Sequence, residues 1–134
     1  MTSTVIYDGN LRTVATHLAS GTEIQTDAPT DNQGKGERFS PSDLVATALG
    51  SCMMTIMGIK ARDMEVDLKG TRIEVEKIMK ADPRRIGGIN LTFTFPEHLQ
   101  VDDKQRTILE RAAHTCPVAY SIHPDIAVKT VFNW

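Results

Sequence analysis

The sequence predicts a domain of short strands around one long apolar helix, and three stretches carry that expectation. Short β-leaning runs separated by turn residues fill the first 26 positions. An uncharged, apolar, helix-length run follows from Leu44 to Ile59. From Ile89 to Phe95 apolar and polar residues then alternate strictly, and an amphipathic helical pattern comes after it. At 134 residues the chain supports one hydrophobic core, so a single domain over residues 1–134 is expected.

Thr4 to Tyr7 and Leu11 to Leu18 flank Asp8-Gly9-Asn10, a hairpin turn signal, and Ser20-Gly21 turns the chain into a third run, Glu23 to Thr26. An antiparallel meander is expected there. From Asp27 to Phe39 the chain is polar and rich in Gly and Pro, a long loop of the kind that carries function or moves. The next helix has its start written into it: Ser40 as N-cap, Pro41 at the first helical position and Asp43 as the capping-box acid. Lys60 and Arg62 complement the helix dipole at the other end. Between them no residue is charged and no face is polar, so protein must cover this helix on all sides, and a partner chain is expected to supply part of that cover. Its capped ends and internal Thr, Ser and Gly read as a core helix rather than a membrane span.

Thr71 to Glu76 alternates as a half-solvated strand, and Asp82-Pro83 and Gly87-Gly88 bracket a turn. Ile89, Leu91, Phe93 and Phe95 then share one strand face, and Pro96 ends that strand. Asp102 and Gln105 have capping-box spacing at the head of an amphipathic helix running to His114. Pro117 opens a helical turn to Ile122, and Ile126 to Phe132 reads as the last strand.

Net charge is −2 and the isoelectric point about 6.1, which gives no electrostatic argument for nucleic acid or an anionic membrane as partner. The first residues lack a basic and then apolar leader, so a cytoplasmic location is expected. In a reducing compartment two cysteines are more often catalytic or inert than a structural staple.

Those two residues, Cys52 and Cys116, are the main candidates for chemistry. Cys116 precedes Pro117 as N-cap of a new helix, next to unpaired backbone N–H groups that favour a thiolate. Cys52 sits mid-helix, where N–H groups are already bonded and apolar surroundings raise a thiol pKa, so it needs a cation. Arg38, from the loop before the helix, and Arg12, from the hairpin, are the candidates. Gly50 and Gly58 each cost roughly 1 kcal/mol against alanine inside a helix, which points to close approach by another element. The bland readings are a buried apolar-like Cys52 and an ordinary cap at Cys116. A competing use is a zinc site built from Cys52, His114, Cys116 and His123, although their spacing matches no usual zinc pattern. His17 and His98 read as surface residues.

The stretch GKGERFSPSDLVATALGSCMMTIMGI, followed later by AAHTCPVAYSIHPDI, resembles the OsmC/Ohr family of osmotically inducible and organic-hydroperoxide-resistance proteins. The resemblance implies an α+β, OsmC-like fold, with antiparallel sheets packed around long central helices in an intertwined homodimer and active sites at the interface. It also implies a thiol-dependent peroxidase without metal, haem or flavin, acting on an organic hydroperoxide and re-reduced by an external dithiol. By position Cys52 matches the family's peroxidatic cysteine and Cys116 its resolving cysteine. The family carries a glutamate, salt-bridged to an activating arginine, at the position that is Ser42 here, ten residues before Cys52. Asp43 is rotated about 100° from that position and serves as the capping acid; Glu37 is the substitute the loop offers, with Arg38 as its cation. The alternative to a peroxidase is a non-catalytic small-molecule or acyl-chain binding dimer of the same fold.

Overall fold

The computed structural model describes residues 1–134. The chain divides into two compact units, residues 1–45 and 46–134.

The first unit is the expected meander. Strands β1 (Ser3–Gly9), β2 (Arg12–His17) and β3 (Glu23–Asp27) form an antiparallel sheet in that order. Asn10 and Leu11 link β1 to β2 with φ of 50° and 62°, the left-handed pair that a two-residue hairpin loop requires. The loop after β3 contains one short 3-10 turn, Thr30–Asn32. It returns to the sheet through a parallel bridge between Thr26 and Phe39. Val5, Ile6 and Tyr7 of β1 remain about two-thirds exposed, at 64%, 66% and 65%, so this apolar strand has no cover within the chain.

Helix α1 (Pro41–Asp63) begins where the sequence placed it. Asp43 N–H donates to Ser40 Oγ at 3.0 Å and Ser40 N–H donates to an Asp43 carboxylate oxygen at 2.9 Å, which completes the capping box. The helix is long and apolar enough to cross a bilayer, but from Ala46 onward it is the core element of the second unit. Ala46, Leu49, Gly50, Met53, Met57 and Ala61 form its buried stripe. Ala48, Ser51, Thr55 and Ile59 form an exposed, uncharged stripe at the same helical spacing. The chain thus covers one face of a helix that has no polar face.

The rest of the second unit is strands β4 (Arg72–Lys80), β5 (Arg85–Thr94) and β6 (Ala127–Asn133), with helices α2 (Asp103–Ala113) and α3 (Pro117–Ser121) between β5 and β6. β4 pairs antiparallel with β5, but β6 pairs parallel to it. The sheet is therefore mixed rather than antiparallel throughout, because the path through α2 and α3 is a crossover long enough to return the chain in the same direction. β4 and β5 also run further toward their turn than the alternation pattern indicated. Ile89, Leu91 and Phe93 are at most 1% exposed and face Leu49, Met53 and Met57, with Leu109, Ala113 and Cys116 completing the core. Phe93 stacks on Phe132 of β6 at 4.9 Å between ring centroids, and Phe95 stacks on Trp134 at 3.7 Å. Asp102 and Gln105 form the expected reciprocal capping box on α2.

The two helix glycines divide. A Cβ on Gly50 would lie 3.3 Å from both the Leu91 and Val75 side chains, so the glycine lets the sheet approach α1 closely, near Cys52 in the same helix. Gly58 has nothing within 4 Å of that position, so within one chain no close approach explains it. Gly50→Val is accordingly expected to overpack this contact and cost about 1–3 kcal/mol by denaturant unfolding, whereas Gly58→Ala should gain about 1 kcal/mol.

Candidate functional site

Two clusters hold the residues singled out by sequence, one in each unit. In the second unit the structure brings the cysteines together. Cys52 is half-buried on α1 and packs against the core that contains Cys116. Cys116 is 0% exposed. It is the N-cap of α3, with Pro117 at the first helical position, and its Sγ accepts Ala119 N–H at 3.4 Å. Both thiols are free, and Cys52 is a neighbour of Cys116.

The N-cap geometry is as expected, but its electrostatic consequence is not. Burial pushes the Cys116 thiol up, the Ala119 N–H offsets only part of that, and the neighbouring Cys52 adds to the rise. A five-residue helix offers little dipole, while full desolvation disfavours the charged form strongly. Cys116 therefore keeps its proton, and Cys52, the one that solvent reaches, is the thiol open to a reactant.

In the first unit the register of the β2–β3 ladder sets Arg12 directly opposite Asp27. Arg12 Nε donates to Asp27 Oδ1 at 2.7 Å and Nη2 to Asp27 Oδ2 at 2.8 Å, a bidentate pair. Nη2 also donates to Glu37 Oε2 at 3.0 Å, and the Glu37 N–H returns to Asp27 Oδ2 at 3.1 Å. Asp27 is 2% exposed while the Glu37 side chain is 59% exposed, so one carboxylate is fixed and the other reaches in from solvent. Arg38 stands outside the clamp: its Nε donates to Gln25 Oε1 at 2.9 Å and its Nη1 to the Glu37 carbonyl at 3.0 Å. Glu37, placed in sequence beside Arg38 as its acid, is thus paired through its carboxylate with Arg12. Sequence reasoning passed over Asp27: a turn centred on Ser20-Gly21 would put Arg12 opposite Pro29, and only the observed register, with Thr16 opposite Glu23, brings Asp27 opposite Arg12.

The hydrogen bonds from Arg12 hold the Asp27 carboxyl below the usual carboxylate range, with burial opposing them. A carboxyl depressed in the folded state stabilises fully above its unfolded pKa of about 3.9, and that contribution is lost as pH falls through the lower folded value. Asp27→Asn should therefore melt earlier than the parent at pH 7, and the gap should close below about pH 4. A gap in melting temperature that stays constant from pH 7 to pH 3 would show that the ion pair is not its source.

The remaining histidines are not gathered with the thiols. His114 Nε2 faces Thr130 Oγ1 at 3.5 Å with its ring edge-on to Phe132, and His123 Nδ1 accepts Asp125 N–H at 3.1 Å. No three of the chain's His, Cys, Asp and Glu residues come together as a metal-holding group. His17 and His98 are exposed.

Residues 34–131 match the family model for OsmC-like protein. No curated protein matches the chain. Among solved structures, an osmotic stress induced and detoxification response protein from Psychrobacter arcticus is 58% identical, with TM-score 0.95 over 99% of this chain and 96% of its own. An organic hydroperoxide resistance protein OsmC from Legionella pneumophila has the same fold at 17% identity and TM-score 0.77, over 100% of this chain and 98% of its own. The organic hydroperoxide resistance protein OhrB of Bacillus subtilis does so at 19% identity and TM-score 0.67, over 99% and 98%. With the family model spanning most of the chain and the α+β architecture shared throughout, this protein belongs to the OsmC-like family.

Proposed function

We propose that this chain is a cytoplasmic, dimeric thiol peroxidase that reduces organic hydroperoxides. The observation that carries the reading is the neighbouring pair of free thiols, Cys52 half-buried on α1 and Cys116 buried at the cap of α3. The Cys52 thiolate forms a bond to the distal peroxide oxygen, the O–O bond breaks, and the alkoxide leaves and takes up a proton as the alcohol. Cys52 is then a sulfenic acid. Cys116 Sγ attacks that sulfur, water leaves with the sulfenic hydroxyl and the Cys116 proton, and the disulfide that results is reduced by an external dithiol. Apolar side chains around the pair favour an organic hydroperoxide over hydrogen peroxide. The resistance proteins of Legionella pneumophila and Bacillus subtilis, whose fold this chain shares, bear names that agree with such a substrate.

Glu37 and Arg38 belong to the proposal as the acid and cation that condition the thiolate, with Arg12 as the other candidate cation. The Glu37–Arg12 ion pair supports Arg12, since it supplies the acid–arginine pairing that Ser42 cannot. The activating arginine is the one whose change to methionine slows Cys52 alkylation at pH 7 about tenfold for each pH unit by which the Cys52 pKa rises. If neither Arg12→Met nor Arg38→Met does so, the binding-protein reading gains, because Ser42 has then removed the activating network.

Two supports favour a homodimer: the exposed uncharged stripe on α1 and the exposed apolar residues of β1. A dimer at micromolar concentration is expected by light scattering; a monomer contradicts this part of the proposal. The decisive test of function is a thiol count and non-reducing peptide map after one equivalent of cumene hydroperoxide. The expected product is an intrachain Cys52–Cys116 disulfide with no free thiol. Two thiols still free would leave the binding dimer as the reading.

A further inference from the structure

We propose that the cavity at the end of the β4–β5 hairpin binds a small organic anion, a phosphate or carboxylate carried on an apolar body, held by Lys80 and Arg85 with His123 as a third donor. The site contains neither thiol and does not rest on the peroxidase reading.

The argument starts from a like-charge pair. The last rung of the β4–β5 ladder sets Lys80 directly opposite Arg85. Cations in that relation repel, and no carboxylate of the chain forms an ion pair with either of them. Arg85 is nonetheless held in place. Its Nη1 donates to the Ala81 carbonyl at 3.0 Å and to the Pro83 carbonyl at 2.8 Å, which fixes the guanidinium against the turn and leaves Nε and Nη2 able to donate to a ligand.

Lys80 owes its course to a missing side chain. Ile78 pairs with Gly88 and Met79 with Ile86, so Gly87 is an extra, unpaired residue on β5, a bulge of the kind that re-aims a neighbouring side chain. A Cβ on Gly87 would lie 2.4 Å from Lys80 Cγ, 2.7 Å from its Cδ and 2.8 Å from its Cε. The lysine stem therefore crosses the bulge in space that only glycine leaves. Gly87 is not among the residues with positive φ, so the packing of Lys80, not the backbone conformation, is what calls for glycine here.

Beside these two cations lies a cavity of about 630 Å³, within the size range of sites for small organic ligands. The hairpin lines it with Lys80 and Arg85, and the connection from α3 to β6 lines it with His123 and Asp125. His123 Nδ1 accepts the Asp125 N–H at 3.1 Å, so the neutral ring carries its proton on Nε2 and can donate without being charged. Asp125 is the one acid in the lining, against two permanent cations, and the balance favours an anion. Arginine matches the oxygens of a carboxylate or phosphate in pairs. Ile86 and Ile126 also line the cavity; a bare oxyanion gains nothing from them, whereas an apolar body does.

The test is an NMR titration of the amide groups of the full chain with phenyl phosphate, phenylacetate, inorganic phosphate and neutral benzyl alcohol. At least one of the two organic anions should give saturable shifts centred on residues 80, 85–87 and 123–126, and the tighter of them names the anionic group. It should bind about tenfold or more tightly than either inorganic phosphate or benzyl alcohol. Lys80→Met should weaken that binding about tenfold or more, since it removes a charge-assisted hydrogen bond, and His123→Ala about threefold or more, since it removes a neutral one. Lys80→Met also relieves the like-charge pair, so it should melt no lower than the parent, and its loss of binding is then not a loss of fold. Gly87→Ala should weaken binding with Lys80 still present, because the new methyl group displaces the lysine stem. Absence of saturable binding by both organic anions at millimolar concentration overturns the proposal. So do shifts centred elsewhere, equal affinity for inorganic phosphate or benzyl alcohol, and parental affinity in Lys80→Met or Gly87→Ala.

Discussion

On the proposed peroxidase reading, Cys52→Ser is expected to reduce cumene hydroperoxide no faster than buffer, a loss of at least about a thousandfold, because it removes the atom that this reading bonds to the peroxide oxygen. A serine hydroxyl at the same place remains protonated and is a poor nucleophile toward peroxide oxygen. The comparison that gives the result its meaning is Cys116→Ser. In the proposed mechanism Cys116 enters the redox chemistry only after the O–O bond has broken, so its serine variant should consume about one equivalent of peroxide per chain and then stall as sulfenic acid. A peroxide assay run to completion without dithiol separates the two: no consumption for Cys52→Ser, about one equivalent for Cys116→Ser. Equal loss in both would mean that burial does not set the order of the thiols. Sustained turnover in Cys52→Ser would place the chemistry outside this pair.

The asymmetry behind that prediction was only half legible in sequence. Pro117 after Cys116 announced the N-cap, and the structure has it. What the local pattern could not show is how deeply the cap is buried. Burial depends on Leu49, Leu109 and Ala113, which come from two other helices, and no short-range signal encodes it. The effect that wins at Cys116 is therefore the non-local one, desolvation, over the local one, a nearby N–H. The Arg12–Asp27 pair is another case. Each residue alone looks like an ordinary strand charge, and only the antiparallel register turns them into a bidentate pair with a carboxylate 2% exposed. The capping residues Ser40, Asp43, Asp102 and Gln105 were readable because their partners lie three positions away. The parallel course of β6 was not, since strand direction is set by the length and packing of the crossover and leaves no trace in the alternation of the strand itself.

Alternation did identify the face of β5 on which the second unit is built, and the second large effect is expected there. Phe93 is 0% exposed, lies opposite Ile73 on β4 and Phe132 on β6 in the ladder, and stacks on the Phe132 ring at 4.9 Å. Phe93→Ala removes the aromatic contact and leaves a cavity that neighbours on two ladders cannot easily close, at a cost of about 3–5 kcal/mol. For a chain of this size that lowers the melting temperature by roughly 10–20 °C. Phe93→Leu keeps most of the volume and should cost about 1–1.5 kcal/mol. The same sheet face packs against the α1 stripe that flanks Cys52, through Leu49 and Met53, so the substitution also has a functional readout. At a temperature where Phe93→Ala is still folded, its Cys52 and Cys116 should form the peroxide-induced disulfide more slowly than the parent, while Phe93→Leu should match it. Unchanged stability in Phe93→Ala would mean that the β5 face is not the packed core of the second unit. Unchanged disulfide formation with the expected loss of stability would confine the effect to the sheet and leave the thiol pair positioned by α1 and α3 alone.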